Sequence, residues 1–401
     1  MLASHVAPPG LSPLSDAEFG RYLDEVRGLV LEELNRIIPR DGPLEAILYA
    51  RMRDYPLRPA KGLRPALCYA VCRALGGTPA AVLRTAAVIE LYHNAFLIHD
   101  DVEDRSRMRR NEPTLHAAYG EAIAVNVGDG MLLLCQEALD ANMKLLGLGP
   151  ALRIRRTMLR MSREAVEGQA MELEWIRANR WNLADADYLR MVHKKTTWYS
   201  FTAPLVLGAA IAGFPEARET ALRCLAALLG AAFQIQDDLL NLTGDPERTG
   251  KESCGDLWEG KHTLVLAHMM RSVPLAERAH LTAILAKARP ESADVAAGLR
   301  RDVLREVDAM ADAKALDATS ADHLRAHVGR ISAATYRTQA DVAALQLAIE
   351  RCRSADYARR VAAQRIGRAE RLMRSMHGWL PACIHRDFLD GVVSFVLGRS
   401  A

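Results

Sequence analysis

Two acidic clusters carry most of the chemistry this chain could perform. The first is His99-Asp100-Asp101-Val102-Glu103-Asp104; the second is Gln234-Ile235-Gln236-Asp237-Asp238-Leu239-Leu240-Asn241. On a helix, Asp100 and Asp104 share a face, with Asp101 one residue round. Carboxylates gathered this way repel one another unless a cation lies among them. Hard carboxylate oxygens suit Mg2+, which keeps several waters and is usually completed by substrate phosphates rather than by an all-protein cage. A single Asp pair reads equally well as a solvated helix end. Here each pair follows an apolar run, Ala95-Phe96-Leu97-Ile98 or Ala231-Ala232-Phe233, which a wet surface would not need.

Basic residues flank both clusters. Arg109-Arg110 follows Asp104 by a little more than one turn, and Lys61 and Arg64 lie in a loop before a helix opening near Pro65. Lys194-Lys195-Thr196 ends another helical run, and Lys251 and Lys261 bracket Gly255-Asp256 just beyond the second cluster. Singly, each is ordinarily a solvated charge. Together, beside two carboxylate sites, they are what a diphosphate needs: metal on one side, guanidinium and ammonium on the other. His93 lies almost two turns before Asp100 on the same face, as a ligand contact or as a buried helix histidine with one hydrogen bond.

The elements that must position these residues read as helices. Ser15 followed by Glu18 is a capping-box signature, and helical spacing then runs to about Ile38. Further helical patterns cover about 65–75, 79–106, 121–146, 151–176, 184–213, 216–243, 261–272 and 275–289, with a break expected at Gly147-Leu148-Gly149-Pro150. No alternating strand pattern with hairpin turns is visible. Aromatics are only 5% of the chain, which argues against a sandwich or barrel, whereas Ala, Leu, Arg and Met favour helix. Residues 1–14 read as a loose Pro- and Gly-rich tail. Residues from about 290 to 340 are rich in Ala, Arg and Asp and read as one or two solvent-facing helices inserted before a final helical stretch, 341–397. The expectation is a single all-α domain over 15–401.

The composition narrows the function. With 52 basic and 49 acidic residues the net charge is +3, so no global field draws nucleic acid and any anion site must be local. The seven cysteines show no CxxC and no metal-ligand spacing, which suits a reducing cytoplasm. The N-terminus lacks a signal-peptide pattern, and no run reaches the ~18 apolar residues of a membrane span.

Lys61-x-x-Arg64-Pro65, the first Asp cluster with Arg109-Arg110, Gly168-Gln169, Lys195-Thr196, Phe233-Gln234-x-x-Asp237-Asp238 and Glu259-Gly260-Lys261 resemble, in order and spacing, the trans-isoprenyl diphosphate synthases. The resemblance covers about residues 40 to 270, with a weaker echo at His385-Arg386-Asp387-Phe388. Asn241 in the fifth position of the second cluster and Tyr92-His93-Asn94-Ala95 resemble the geranylgeranyl diphosphate synthases among them. Two departures stand out: Asn111 replaces the usual Gly after the paired Arg, and Pro59-Ala60-Lys61 replaces Gly-Gly-Lys.

The resemblance implies a bundle of about ten or more helices around a deep central cavity, usually as a homodimer. It also implies on the order of two or three Mg2+ ions between Asp100, Asp101 and Asp104 on one side and Asp237 and Asp238 on the other. An allylic diphosphate would be neutralised by Arg109, Lys195, Lys251 and Lys261, and isopentenyl diphosphate held by Lys61, Arg64, His93 and Arg110. Dipoles near Lys195, Thr196 and Gln234 would stabilise the allylic cation, and the departing pyrophosphate could accept the proton. A class I terpene cyclase would not need the Lys61/Arg64 pocket, and a non-catalytic partner subunit would be expected to lose an Asp cluster. Product length should be set on the Asp100 helix, where one ~5.4 Å turn is roughly one isoprene unit. Phe96 beside small Ala95 lies one turn down and Tyr92 two, which bounds the product to farnesyl (C15) or geranylgeranyl (C20); the resemblance favours C20.

Overall fold

The computed structural model describes residues 11, 13–243, 254–288 and 293–397. The chain opens with α1 (Asp16–Ile37), whose N-terminus carries the expected capping box: Glu18 N–H donates to Ser15 Oγ, and Ser15 N–H donates to the Glu18 carboxylate at 3.0 Å. A π-wound turn, Glu45–Tyr49, leads into α2 (Ala50–Leu57), in a stretch where the sequence suggested no element. Then come α3 (Leu63–Ala74) and α4 (Pro79–Glu103), the latter capped by Thr78 with Pro79 in its first turn.

Every side chain from Thr85 to Ala95 is buried, so α4 has no solvent face over that length and is the central helix of the bundle. It packs against α1, α3 and α6. The short α5 (Leu115–Tyr119) precedes α6 (Glu121–Asp140), α7 (Asn142–Leu146) and α8 (Leu148–Arg177). The break expected at 147–150 is narrower than the sequence suggests. Gly147, at φ +81°, ends α7, and Pro150 falls in the first turn of α8, where a missing N–H leaves no intrahelical bond unmade.

The pattern over 184–213 resolves into α9 (Asp185–Val192), a π-wound segment His193–Thr202 and α10 (Ala203–Ile211). The α-type ladder changes pitch where Pro204 removes a donor. There follow α11 (Thr220–Thr243), α12 (Gly255–Glu259), α13 (Leu264–Ser272) and α14 (Leu275–Leu285). The surface segment contains α15 (Ala293–Asp312) and α16 (Ala318–Thr335), which pack on each other, and Val303, Met310 and Leu324 among their described side chains are exposed. α17 (Gln339–Arg351), α18 (Ser354–Met376) and α19 (Ile384–Leu397) close the bundle, α18 against α11 and α19 against α3.

One strand pairing departs from the all-helical expectation. Met108–Arg109 and Glu112–Pro113 form a two-rung antiparallel hairpin. Its turn residues, Arg110 and Asn111, have φ +55° and +64°. Both positions of such a turn require positive φ, and Asn tolerates it better than most residues, which explains why Asn111 can stand where the related pattern has Gly.

Two helical stretches are long and apolar enough to be weighed as membrane spans, Pro79–Glu103 and Glu121–Leu146, although the sequence shows no unbroken apolar run of that length. The first is 72% buried in the bundle and bears the acidic cluster, which marks it as a core helix; the second is 39% buried. On the outside of α8, Leu152, Leu159, Val166 and Leu173 recur every seven residues at 47, 53, 60 and 36% exposure. Leu133 on α6 is 67% exposed.

Candidate active site

The first cluster ends α4, and its carboxylates part company. Asp100 points toward the π-wound segment, where Lys195 Nζ lies 3.3 Å from its Oδ1 and 2.5 Å from Glu172 Oε2 of α8. This meeting depends on Gly168: a Cβ there would come 2.2 Å from the Lys195 backbone nitrogen, so only glycine lets α8 approach so closely. Burial alone would raise the Asp100 pKa, but Lys195, Lys261 and Arg109 overrule it and hold it well below the usual carboxylate range. Burial likewise opposes charge on Lys195, yet Asp100 and Glu172 keep it firmly protonated. Asp104, at the helix end, meets Lys261 Nζ at 2.7 Å, and Glu259 shares that ammonium at 3.0 Å. Its pKa is raised: burial disfavours its charge more than Lys261 restores it, and Asp100 and Glu259 add repulsion.

Asp101, also expected in the metal set, has protein partners of its own. Adjacent helix positions point ~100° apart, and Asp101 is turned inward, fully buried. It accepts from Arg109 Nε at 3.0 Å and from the Tyr55 hydroxyl at 2.7 Å. Arg109, expected at the allylic diphosphate, is thus committed to Asp101 and braces the hairpin behind the site. Arg58 holds the same hairpin, donating to Arg109 O at 2.9 Å and Pro113 O at 2.7 Å. Tyr55 and Arg58 had no signal in the sequence; they lie in the stretch where no element was expected.

The second cluster divides the same way. Asp237 is half-buried on α11. Asp238, also expected at metal, is buried and tied into a chain: Thr196 Oγ1 donates to Gln234 Oε1 at 2.8 Å, Gln234 Nε2 donates to Asp238 Oδ1 at 2.8 Å, and the Tyr188 hydroxyl donates to Asp238 Oδ2 at 2.7 Å. Burial, then the charge of Asp256, pushes the Asp238 pKa well up. Thr196, Gln234 and Asp238 therefore brace α11 against the π-wound segment. Asn241 Oδ1 accepts from Asp256 N–H at 2.9 Å, so this oxygen caps α12. Lys251 lies outside the described residues.

Three of the expected cations and His93 form a second patch nearer the middle of α4. His93 is buried and stacks on Tyr199 at 5.7 Å, and Arg64 lies over the same ring at 4.9 Å while donating to Ser200 Oγ at 3.1 Å. Arg110 donates to Tyr55 O at 3.1 Å. Burial, then Arg64, Arg110 and Arg109, drives the His93 pKa well down, so it stays neutral; its Nδ1 is buried with no hydrogen-bond partner. Lys61 reaches over the Phe395 ring of α19 at 4.9 Å.

Below Asp100, the Phe96 ring meets Tyr92 edge-on at 4.8 Å and Tyr199 at 5.8 Å. The Tyr92 hydroxyl donates to Ser162 Oγ at 2.5 Å, and Ala95 is fully buried. Glu172 joins the site without having been singled out, and Asp256 and Glu259, quoted only as neighbours of Lys261, join it with their charges. The spacing Gly168, Gln169, Glu172 along one helix face would have pointed to Glu172.

Among the described residues, no three His, Cys, Asp or Glu side chains converge as a ready-made metal cage. Paired carboxylates interleaved with ammonium groups fit a hard cation that arrives with phosphate oxygens to complete its shell.

The sequence pattern of polyprenyl synthetases matches residues 45–301. A short chain isoprenyl diphosphate synthase from Methanocaldococcus jannaschii is 33% identical over 254 residues, covering 63% of this chain and 74% of the relative. Among solved structures, the geranylgeranyl pyrophosphate synthetase of Pyrococcus horikoshii superposes with a TM-score of 0.75 at 25% identity, covering 96% of this chain and 99% of that one. A polyprenyl synthase from Caulobacter crescentus complexed with calcium and isoprenyl diphosphate gives 0.72 at 25% identity over 98% of this chain and 100% of that one.

Proposed function

The chain belongs to the polyprenyl synthetase family, and from that premise we propose that it joins isopentenyl diphosphate head-to-tail to an allylic diphosphate, giving a short all-trans isoprenyl diphosphate. The observation that carries the reading is the presence of two cationic patches along α4: Lys195 and Lys261 among carboxylates at its C-terminal end, Arg64 and Arg110 around neutral His93 nearer its middle. Two diphosphates need two such patches; a cyclase needs one.

The carboxylates of Asp100, Asp104 and Asp237 would hold divalent metal. The metal would act as a Lewis acid on the leaving pyrophosphate, which suits the calcium and isoprenyl diphosphate of the Caulobacter complex. Lys195 and Lys261 neutralise the remaining allylic diphosphate charge. Lys61, Arg64, Arg110 and His93 hold isopentenyl diphosphate. Thr196 and Gln234 present oxygen dipoles where the allylic cation develops. The product is geranylgeranyl diphosphate: the Phe96 ring is laid against Tyr92 and Tyr199, leaving latched Tyr92 as the lower barrier.

The enzyme works as a homodimer through the outward apolar stripe of α8, whose seven-residue repeat suits a second copy of the same helix. Sedimentation of wild type and Leu159→Glu should show a dimer and a monomer. A reducing, cytoplasmic setting belongs to the same reading: Cys68, Cys72, Cys135 and Cys254 are buried as free thiols. The deciding assay for the reaction supplies isopentenyl and allylic diphosphates with Mg2+. A longer linear diphosphate supports the proposal; a hydrocarbon product or no turnover refutes it.

A further inference from the structure

Lys261 reaches the first acidic cluster from a slight element. α12 spans only Gly255–Glu259, and isolated helices shorter than about a dozen residues do not hold their own shape. Its first turn is held from α11: Asp256 N–H donates to Asn241 Oδ1 at 2.9 Å, and Cys254 N–H donates to Asn241 O at 3.0 Å.

Its far end is held by Arg337, which lies between α16 and α17 and is 3% exposed. A guanidinium has five N–H donors in a fixed fork, and here five carbonyls receive them. Nη1 donates to Leu257 O at 2.5 Å and Trp258 O at 2.6 Å. Nη2 donates to Leu285 O and Lys287 O, both at 2.9 Å, and Nε donates to Ile284 O at 3.4 Å. One side chain thereby closes the last carbonyls of α12 and of α14, groups with no partner inside their own helices, with a cation placed where both helix dipoles favour one. The turn that follows rests directly on it. Gly260 has φ +72°, and a Cβ there would come 3.0 Å from Arg337 Nη2. Lys261 is the next residue; its N–H donates to Asp256 O at 3.0 Å, and its ammonium reaches Asp104.

We propose that Arg337 is a positioning residue for Lys261, fixing the Glu259-Gly260-Lys261 turn from behind so that the ammonium stands at the allylic diphosphate. Arg337 lies outside residues 45–301, the span of the family pattern. The segment beyond that span thus contributes to substrate binding through its root rather than through its exposed hairpin. The inference rests on the reading of Lys261 as an allylic diphosphate contact.

The test is steady-state kinetics with each diphosphate varied in turn, for full-length Lys261→Ala, Arg337→Ala, Arg337→Lys and the Lys261→Ala/Arg337→Ala double variant, with thermal melting of each. Lys261→Ala sets the reference: loss of a charge-assisted contact should raise the allylic KM about tenfold or more and leave the isopentenyl KM within about twofold. Arg337→Ala should show the same selective rise. Arg337→Lys, with three donors in place of five, should lie between it and wild type. The double variant should differ from Lys261→Ala by less than about twofold, since without the ammonium nothing remains to be positioned. A merely structural Arg337 would lower the melting temperature without moving the ratio of the two KM values. An unchanged ratio in a folded Arg337→Ala overturns the proposal; if that variant does not fold, an unchanged ratio in Arg337→Lys does so. A shifted Lys261→Ala beside unshifted Arg337 variants sinks this inference alone, whereas an unshifted Lys261→Ala sinks the site reading and the inference with it.

Discussion

Asp100, Glu172 and Lys195 stand on long elements packed through the core, whereas Asp256, Glu259 and Lys261 stand on or beside a five-residue helix strung between α11 and α13. In the first half, placement follows from burial. α4 has no solvent face from Thr85 to Ala95, so the Asp100 backbone cannot shift without disturbing the bundle. In the second half, placement depends on a few polar side chains sent from elsewhere, Asn241 before it and Arg337 long after. Long helices hold chemistry with many weak contacts; short ones hold it with a few specific bonds, and are correspondingly easier to disarm at a distance.

The largest expected effect breaks the long-helix half at its centre. Asp100→Ala should lower kcat on the order of 10^3-fold, because several kcal/mol of charge stabilisation at the leaving group depend on it. The melting temperature should be unchanged or somewhat lower, since Lys195 loses one of the two carboxylates that keep it charged, partly offset by the relief of Asp104. A kcat within tenfold of wild type would reject Asp100 as a metal ligand.

The short-helix half has its own signature in stability. His262, next to Lys261, is stacked on Trp181 at 4.0 Å and donates from Nε2 to Arg180 O at 2.9 Å. Burial pulls its pKa down to about 4, with Glu172 opposing. A histidine with a depressed folded pKa contributes full stability above its unfolded value near 6.5 and loses it as pH falls toward 4, because the unfolded chain takes the proton first. Over that window the loss should be about 3 kcal/mol. Urea unfolding of wild type and His262→Gln at pH 7 and pH 4.5 should show the pH-dependent drop reduced by roughly that amount in the variant. Equal drops in both would mean that His262 is protonated without strain.

Smaller still, Lys61→Ala and Arg110→Ala should each raise KM for isopentenyl diphosphate by about 10- to 100-fold, the worth of a charge-assisted bond, with little change for the allylic substrate. Equal changes for both would place the second patch in the wrong pocket. The smallest change concerns only the length of the product. Phe96→Ala and Tyr92→Ala should move it to longer chains, read by chromatography, with turnover nearly preserved. If neither variant nor their combination shifts it, this face of α4 does not measure the chain.

The sequence revealed the long-helix half well. Helical spacing, the Ser15–Glu18 box and the i,i+4 carboxylates are local patterns, and the structure keeps their helices nearly to the residue. Within a cluster, legibility fell to the choice between neighbours. Asp100 and Asp101 point ~100° apart as consecutive helix positions, and only packing reveals that Asp101 turns to Arg109 and Tyr55. Arg337 could not be found locally at all: its five acceptors lie 50 to 80 residues away in sequence.

The outward stripe of α8 also carries a torsional instruction. From Leu152 to Leu173 is three heptads, about 32 Å of helix at ~1.5 Å per residue. A straight helix drifts ~20° per heptad against a seven-residue repeat, so the stripe winds by about 60° over its length. A partner laid strictly parallel would leave it before the end, while one inclined at about 20° in a left-handed wrap would follow it throughout. On its opposite side the same helix turns Gly168 and Glu172 toward Lys195. The pitch a second copy would have to follow and the seating of buried Lys195 are therefore written on one rod, and neither can be re-tuned by twisting that rod without the other registering the turn.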